Sequence, residues 1–175
     1  MSDAPRATER LRFRPILASD ARALHTLFTD ADVRRFLFDG LAISTGAVEE
    51  ILARNDAQFG AARCGLWWLE RASDAARVGV AGLWPFHDQL ELLYALDPST
   101  WGNGYATEAA VALVRFAFDE LGFDEVVAST DAENTASIAV MRRAGLAFAR
   151  SETIDGLDTV FFVASRSRAA GGEVP

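Results

Sequence analysis

The sequence is poor in the residues that form disulfides and metal sites. It contains one cysteine, Cys64, and two histidines, His25 and His87. A single cysteine excludes a disulfide within the chain, and two distant histidines provide no cluster with metal-ligand spacing. We therefore predict neither a disulfide framework nor a bound metal.

Positive charge is also scarce, because 17 Lys and Arg residues face 25 Asp and Glu residues, for a formal net charge of −8. Such a balance argues against a nucleic-acid or acidic-membrane partner. No apolar run is long enough to cross a bilayer, and the opening MSDAPRATER lacks the apolar core of a secretion signal. We expect a cytoplasmic protein that binds neither nucleic acid nor a membrane.

Hydrophobic residues, in contrast, make up 50% of the 175 residues and include 12 Phe and 4 Trp. That amount of apolar surface suffices for one packed core. No repeat or low-complexity linker interrupts the chain. We predict a single domain over residues 8–166, with flexible termini at 1–7 and 167–175.

Apolar periodicity and turn residues predict a mixed order of strands and helices. The fold class is α+β (mixed α/β), because hairpins accompany one strand-helix-strand unit that must join two parallel strands by a right-handed crossover. The predicted helices begin near Asp20, Val33, Thr45, Gly104 and Asn134. The predicted strands lie around Leu11–Phe13 and over Leu66–Arg71, Arg77–Trp84, Gln89–Leu96, Glu125–Thr130, Leu146–Arg150 and Leu157–Ser165, with Pro85 ending the third.

The most informative segment lies between the strand Gln89–Leu96 and the helix that follows it. Gly102 and Gly104 stand at the start of that helix, where the first backbone N–H groups have no partner within the helix. Such a helix start can hold a pyrophosphate without a basic side chain. A dinucleotide fingerprint would need a third glycine at Thr107, and the Gly-Lys-Ser/Thr of a nucleotide-triphosphate loop is absent. A coenzyme A loop is the third option.

Four segments, in this order, resemble the GNAT N-acetyltransferases, most closely their ribosomal-protein N-terminal acetyltransferase-like (RimJ/RimL-like) branch. The segments are TERLRFRP, GLWWLER…ARVGVAGLW, ELLYALDPSTWGNGYATEA and NTASIAVMRRAGLAF, and the resemblance covers about residues 8–165. It implies a central, mostly antiparallel sheet of about six or seven strands with helices on both faces. It further implies that Gln89–Leu96 carries a bulge and splays from its parallel neighbour, Glu125–Thr130.

The resemblance also implies acetyl-CoA as co-substrate. The family's pyrophosphate loop reads Gln/Arg-x-x-Gly-x-Gly/Ala, which Trp101, Gly104 and Ala106 match. Asn103 stands where many relatives carry Lys or Arg. The residues expected to contact the coenzyme are Ala95, Leu96, Asp97, Trp101, Gly102, Asn103, Gly104, Tyr105, Ala106, Thr107, Asn134, Ser137, Met141 and Arg142.

Acetyl transfer to an amine needs a base, and Glu91 is the first candidate because it lies on the strand of the expected thioester contacts. The alternative for Glu91 is a solvent-facing position on an alternating strand. Glu108 is a second candidate. Its spacing from Arg115 and Asp119 favours instead one polar helix face, where an acid in the first turn stabilises the helix dipole.

The departing thiolate needs a proton, which many family members supply from a Tyr at the position of Met141. Met cannot donate a proton, so Ser137, Tyr94 or a water must help, or the thiolate leaves unassisted. Asn134 is expected to bond the coenzyme arm or a water, and it can also cap its helix. The candidate catalytic residues are therefore Glu91, Ser137, Asn134 and Tyr94.

We therefore predict an acetyl-CoA-dependent N-acetyltransferase that acts by direct transfer in a ternary complex. The acceptor is a primary amine, of a protein N-terminus or of a small molecule. The alternative is a non-catalytic sensor or interaction domain that binds coenzyme A, which Met141 favours. The sequence leaves open whether the protein is a monomer or a homodimer.

Overall fold

A computed structural model describes residues 4–86 and 89–166. Residues 1–3 and 167–175, which belong to the termini predicted to be flexible, lie outside the described residues. Next to the first gap, Pro5 is buried and the Arg6 guanidinium lies 3.4 Å from the Glu120 carboxylate.

Within the described residues, seven strands and five α-helices follow the order that the sequence predicts. The helices are α1 (Ala21–Thr29), α2 (Ala31–Arg34), α3 (Thr45–Ala62), α4 (Tyr105–Asp119) and α5 (Thr135–Arg143). The strands are β1 (Leu11–Pro15), β2 (Leu66–Arg71), β3 (Arg77–Phe86), β4 (Gln89–Leu96), β5 (Glu125–Asp131), β6 (Ala147–Ile154) and β7 (Leu157–Ser165).

Strand β3 continues beyond Pro85, which the sequence predicts as its end. Pro85 pairs with Leu90 of β4, while the pairing of β2 with β3 ends at Gly82 and Leu83. In an antiparallel ladder, alternate residues direct their backbone N–H groups to opposite sides of the strand, and at Pro85 that side faces away from β4. Because β2 does not extend this far, no neighbouring strand would accept a hydrogen bond from residue 85. Proline is therefore compatible with the strand here.

The sheet has the order β1-β2-β3-β4-β5-β7-β6, and among the described strands only the neighbours β4 and β5 run parallel. Its two faces bear separate cores. One core packs Leu113 of α4 and Met141 of α5 against the sheet. The other packs Leu24 of α1 and Val48 of α3 against the opposite face. The predicted α+β class, with helices on both faces, is confirmed.

The parallel pair separates soon after it forms. Strand β4 pairs with β5 only at Leu90–Val126 and Glu91–Val127. The predicted splay is therefore present. The prediction of a bulge in β4 is wrong, because the register of β4 with β3 is continuous from Gln89 to Leu96. The sheet opens because β4 diverges from β5, without a bulge in β4.

A buried carboxylate joins the first strand to the helical layer. Asp20, 5% exposed, accepts hydrogen bonds from Arg14 at 3.0 and 3.1 Å and from Arg77 at 3.0 Å. Burial alone would raise the pKa of Asp20, but hydrogen bonds from Arg14 and the Leu17 N–H, with the charges of Arg14 and Arg77, outweigh it and lower the pKa.

Asp20→Asn is expected to lower the free energy of unfolding by about 3 kcal/mol, because removing one partner leaves buried charge uncompensated. The effect lies at the low end of the usual range since both arginines are partly exposed. It is fully present above the ordinary aspartate pKa and is lost as pH falls through the lowered pKa of Asp20. Urea unfolding at several pH values measures it. The exposed Arg71–Asp74 pair provides the control, and an equal loss in Asp74→Asn would contradict the argument.

Candidate active site

A cleft opens in the sheet where β4 leaves β5. In an antiparallel ladder, alternate residues turn their backbone groups to opposite neighbours. The Asp97 N–H donates to Val78 O at 2.9 Å, so this alternation directs the backbone groups of Ala95 towards β3 and those of Tyr94 and Leu96 towards the cleft. The predicted contact through Asp97 cannot use its N–H, whereas the Tyr94 N–H and C=O and the Leu96 N–H face the cleft. The Leu96 carbonyl accepts from the Trp101 indole.

Side chains of the loop itself fix the connection from β4 to α4. The Trp101 indole N–H donates to Leu96 O at 2.9 Å, although the residue is 51% exposed. The Asn103 amide donates to Thr100 O at 2.9 Å and Trp101 O at 3.1 Å. The Asp97 carboxylate accepts from the Ser99 N–H at 2.9 Å. Trp101 and Asn103 therefore hold the loop in shape rather than directing their donors outward.

The loop ends in an anion cradle at the start of α4. Gly102 and Gly104 both have φ of 77°, a left-handed conformation that favours glycine. Among the described residues, no hydrogen-bond acceptor pairs with the backbone N–H groups of residues 102–107. A Cβ at Gly102 would meet nothing within 4 Å, and one at Gly104 only the Arg10 guanidinium at 3.7 Å. This space and these donors fit a pyrophosphate.

Glu91 lies on the β4 face that packs against α1 and α3, together with its neighbours Leu93 and Ala95. The side chain is half-buried rather than solvent-facing, and it accepts a hydrogen bond from the Ser129 hydroxyl at 2.6 Å. Burial raises the pKa of Glu91, and the bond from Ser129 offsets part of that rise. A carboxylate with a raised pKa is a stronger proton acceptor than an exposed one.

Tyr94 lies on the opposite face of β4 and contacts α5 across the cleft. Its hydroxyl lies 2.6 Å from Ser137 Oγ and donates to Ser137 O at 3.1 Å. Burial raises the pKa of Tyr94 to about 12, although the hydrogen bond with Ser137 opposes the shift. The phenol therefore keeps its proton at neutral pH. The structure brings together Tyr94 and Ser137, two of the candidates for protonating the departing thiolate.

Glu108, the second candidate base, is tied to the N-terminal segment. It accepts from the Arg10 N–H at 3.0 Å, from Arg10 Nε at 2.7 Å and from the Thr8 hydroxyl. Burial alone would raise the pKa of Glu108, but these hydrogen bonds outweigh it and lower the pKa. The structural interpretation of Glu108 agrees with these contacts.

The start of α5 uses Asn134 as its cap. Its side-chain oxygen accepts from the Ser137 N–H at 3.1 Å, and its amide donates to the Thr130 hydroxyl at 3.0 Å. Met141 is 1% exposed and packs in the core. Arg142 lies over the Phe162 ring at 5.8 Å. Within this structure Met141 and Arg142 therefore contact the protein core and the β7 side.

A groove of about 1350 Å³ runs from Gly102 and Gly104 along the outer face of α4, and Arg143 lines it. The sequence prediction placed Arg142 but not Arg143 among the coenzyme contacts, and it named neither Ser129 nor Arg10 at the site. Arg143 is adjacent in the motif, so helical phase could have indicated it. Ser129 and Arg10 lie 38 residues from Glu91 and 93 from Asn103, and no local pattern connects them.

Comparison with known proteins agrees with this geometry. The family described as "Acetyltransferase (GNAT) domain" matches residues 10–147. The uncharacterized protein YkkB of Bacillus subtilis is 30% identical over 151 residues, which cover 82% of this chain and 86% of that protein. The chain belongs to the GNAT N-acetyltransferase family.

Other similarities are more local or concern the fold alone. The FsC-acetyl coenzyme A-N(2)-transacetylase of Aspergillus fumigatus is 48% identical over 59 residues, 34% of this chain but 25% of that protein. RimL, the ribosomal L7/L12 alpha-N-protein acetyltransferase in complex with coenzyme A, is 19% identical with a TM-score of 0.77, covering 91% of this chain and 96% of that one. Spermidine N-acetyltransferase from Vibrio cholerae, in complex with coenzyme A and spermine, is 18% identical with a TM-score of 0.78, covering 93% and 99%.

Within residues 4–86 and 89–166, no helix combines the length and the apolar character that crossing a bilayer requires.

Proposed function

We propose that the protein transfers the acetyl group of acetyl-CoA to a primary amine, by direct transfer in a ternary complex. The observation that carries this proposal is the cleft between β4 and β5. It leads to the unpartnered N–H groups of residues 102–107, and Glu91 and Tyr94 lie on its two faces. The coenzyme and the amine would thus approach from opposite faces of the sheet.

The residues at this cleft fit acetyl-CoA. The helix start would hold the pyrophosphate, the cleft-facing backbone of Tyr94 and Leu96 would pair with the pantetheine arm, and the groove lined by Arg143 offers space for the nucleotide end. When bound, acetyl-CoA would supply the thioester whose carbonyl carbon the amine attacks. The remaining predicted contacts, including Asn134, Ser137, Met141 and Arg142, stay predictions.

Proton transfer is assigned to side chains on the two faces of β4. An amine attacks only with a free lone pair, so Glu91 takes its proton as the C–N bond forms. Tyr94 and Ser137 give a proton to the sulfur as the C–S bond breaks. Their 2.6 Å contact allows the phenol to replace the proton that the serine hydroxyl gives up. Tyr94 of β4 would thereby take over the role that relatives assign to the position of Met141.

Tyr94→Phe and Ser137→Ala are each expected to lower kcat roughly tenfold, because either change breaks the same proton path. The double variant should be no slower than the worse single variant, since the two groups act as one unit. Single-turnover rates and circular dichroism check the rate and the fold. A fully additive double variant, or Tyr94→Phe with wild-type kcat, would contradict the proposed path.

The proposed activity is tested by mixing the protein with acetyl-CoA and a panel of N-terminal peptides and small amines. Thiol release is followed by a thiol reagent and the acetylated product by mass spectrometry. The second candidate function, a coenzyme A-binding sensor, is favoured by the buried Met141 at the usual acid position. A sensor gains thermal stability from coenzyme A without releasing thiol, so that outcome would reject the enzyme.

The acceptor class that we propose is a protein N-terminus or a small-molecule amine, and the branch is the RimJ/RimL-like one. Both rest on the four sequence segments and on the fold shared with RimL and spermidine N-acetyltransferase. We propose a monomer or homodimer located in the cytoplasm, where thiols such as the buried Cys64 stay reduced.

A further inference from the structure

Arg10, at the entrance of β1, contacts three successive parts of the loop-helix junction. Its NH1 donates to the backbone carbonyl of Asn103 at 2.9 Å. Its Nε and NH2 lie 2.7 and 2.5 Å from Glu108 Oε2. Its guanidinium lies 5.0 Å from the centre of the Tyr105 ring. One side chain therefore bridges the loop and the first turn of α4.

The bond to Asn103 fixes a peptide inside the anion cradle. The peptide from Asn103 to Gly104 is trans, so its C=O and N–H groups point in opposite directions. Because Arg10 holds the carbonyl of Asn103, the N–H of Gly104 points away from Arg10. The Trp101 and Asn103 side chains bond carbonyls earlier in the loop, at Leu96, Thr100 and Trp101. The Asn103 carbonyl is held instead by Arg10.

The charge of Arg10 is balanced by Glu108, which sits closest to two of its nitrogens. The pair therefore adds little net positive charge to the cradle. The effect of Arg10 is one of orientation, and it depends on a guanidinium that reaches Asn103 and Glu108 together. A lysine has a single ammonium and cannot reproduce that fork.

We propose that Arg10 is a positioning residue for pyrophosphate binding, which holds the Asn103 carbonyl so that the Gly104 N–H faces the phosphates. This inference rests on the proposed function. The competing explanation is that Arg10 only ties the N-terminal segment to α4. Arg166 makes such a tie at the far end of α4, where its guanidinium donates to the carbonyls of Phe118 and, at 3.1 Å, Phe123. Arg166 does not line the groove along α4, so it provides the matched control.

Binding of three ligands separates these explanations. Calorimetry measures Kd for coenzyme A, for dephospho-coenzyme A, which keeps the pyrophosphate, and for pantetheine, which lacks it. Arg10→Ala is expected to raise Kd about tenfold for the first two ligands and to leave that for pantetheine unchanged. Arg10→Lys should keep the defect, and Arg166→Ala should bind all three like wild type.

Several results would overturn the proposal. They are wild-type affinity in Arg10→Ala, full rescue by Arg10→Lys, an equal loss in Arg166→Ala, or a parallel loss for pantetheine. Arg10→Lys keeps the charge beside Glu108, so it serves as the second variant if Arg10→Ala does not fold. A wild-type protein that binds none of the three ligands would instead reject the proposed function, and the role of Arg10 with it.

Discussion

Gly104→Asp is expected to weaken coenzyme A binding more than 100-fold while the fold persists. The new carboxylate would occupy open space in front of the unpartnered N–H groups and would repel phosphate. Losing two charge-assisted hydrogen bonds costs roughly 3 kcal/mol, which corresponds to that factor. An aspartate at φ 77° costs about 1 kcal/mol of strain, which is small against the roughly 5–15 kcal/mol that stabilises a folded domain, so the fold persists.

Gly122→Asp is the matched control for this experiment. Gly122 has φ of 81°, its Cβ direction is open, and it lies just beyond the other end of α4. The control therefore carries comparable backbone strain and the same charge far from the cradle. Calorimetry with coenzyme A compares the two variants. Equal affinities of Gly104→Asp and wild type would place the coenzyme elsewhere.

Glu91→Gln is expected to lower kcat/KM roughly 100-fold, the usual effect of losing a general base. The wild-type rate should fall as pH drops through the raised pKa of Glu91, because only the carboxylate accepts a proton. The variant should lack this acid limb and show only the titration of the amine. A pH–rate profile with one amine acceptor checks both expectations, and an unchanged acid limb would remove Glu91 as the base.

Two further variants sharpen that assignment. Ser129→Ala removes the hydrogen bond that lowers the pKa of Glu91, so the acid limb should move to higher pH. Glu125→Gln is the control, because Glu125 also lies on a strand and accepts from a serine, Ser165 at 3.2 Å, but is exposed. It should leave the profile unchanged.

Most of the fold follows from patterns within short stretches of the chain. Alternation placed the strands, and caps such as Asn134 placed the helices. The two features of the strands that were predicted wrongly depend on the neighbouring strands of the sheet. Pro85 is tolerated because β2 has already ended, and the bulge is missing because β4 keeps its register with β3. Neither fact can be read from β3 or β4 alone.

The backbone form of the Trp101–Ala106 loop, in contrast, could be predicted from the residues of the loop itself. Left-handed glycines and free N–H groups at a helix start need only the residues that form them. What the sequence did not show is that the side chains of Trp101 and Asn103 are used within the loop. Donor groups on a side chain can turn inward or outward, and only the surrounding acceptors decide.

The sequence by itself determined the order of elements, the glycine turn at the start of α4 and the residue types available for the proposed catalysis. Only the tertiary structure decided which of them meet. Glu91 reaches Ser129, Tyr94 reaches Ser137, and Arg10 reaches Asn103 across 38, 43 and 93 residues. Local periodicity fixes the direction of a side chain relative to its own strand or helix. Contacts at such separations depend on strand order and register, which are set by packing of the whole sheet.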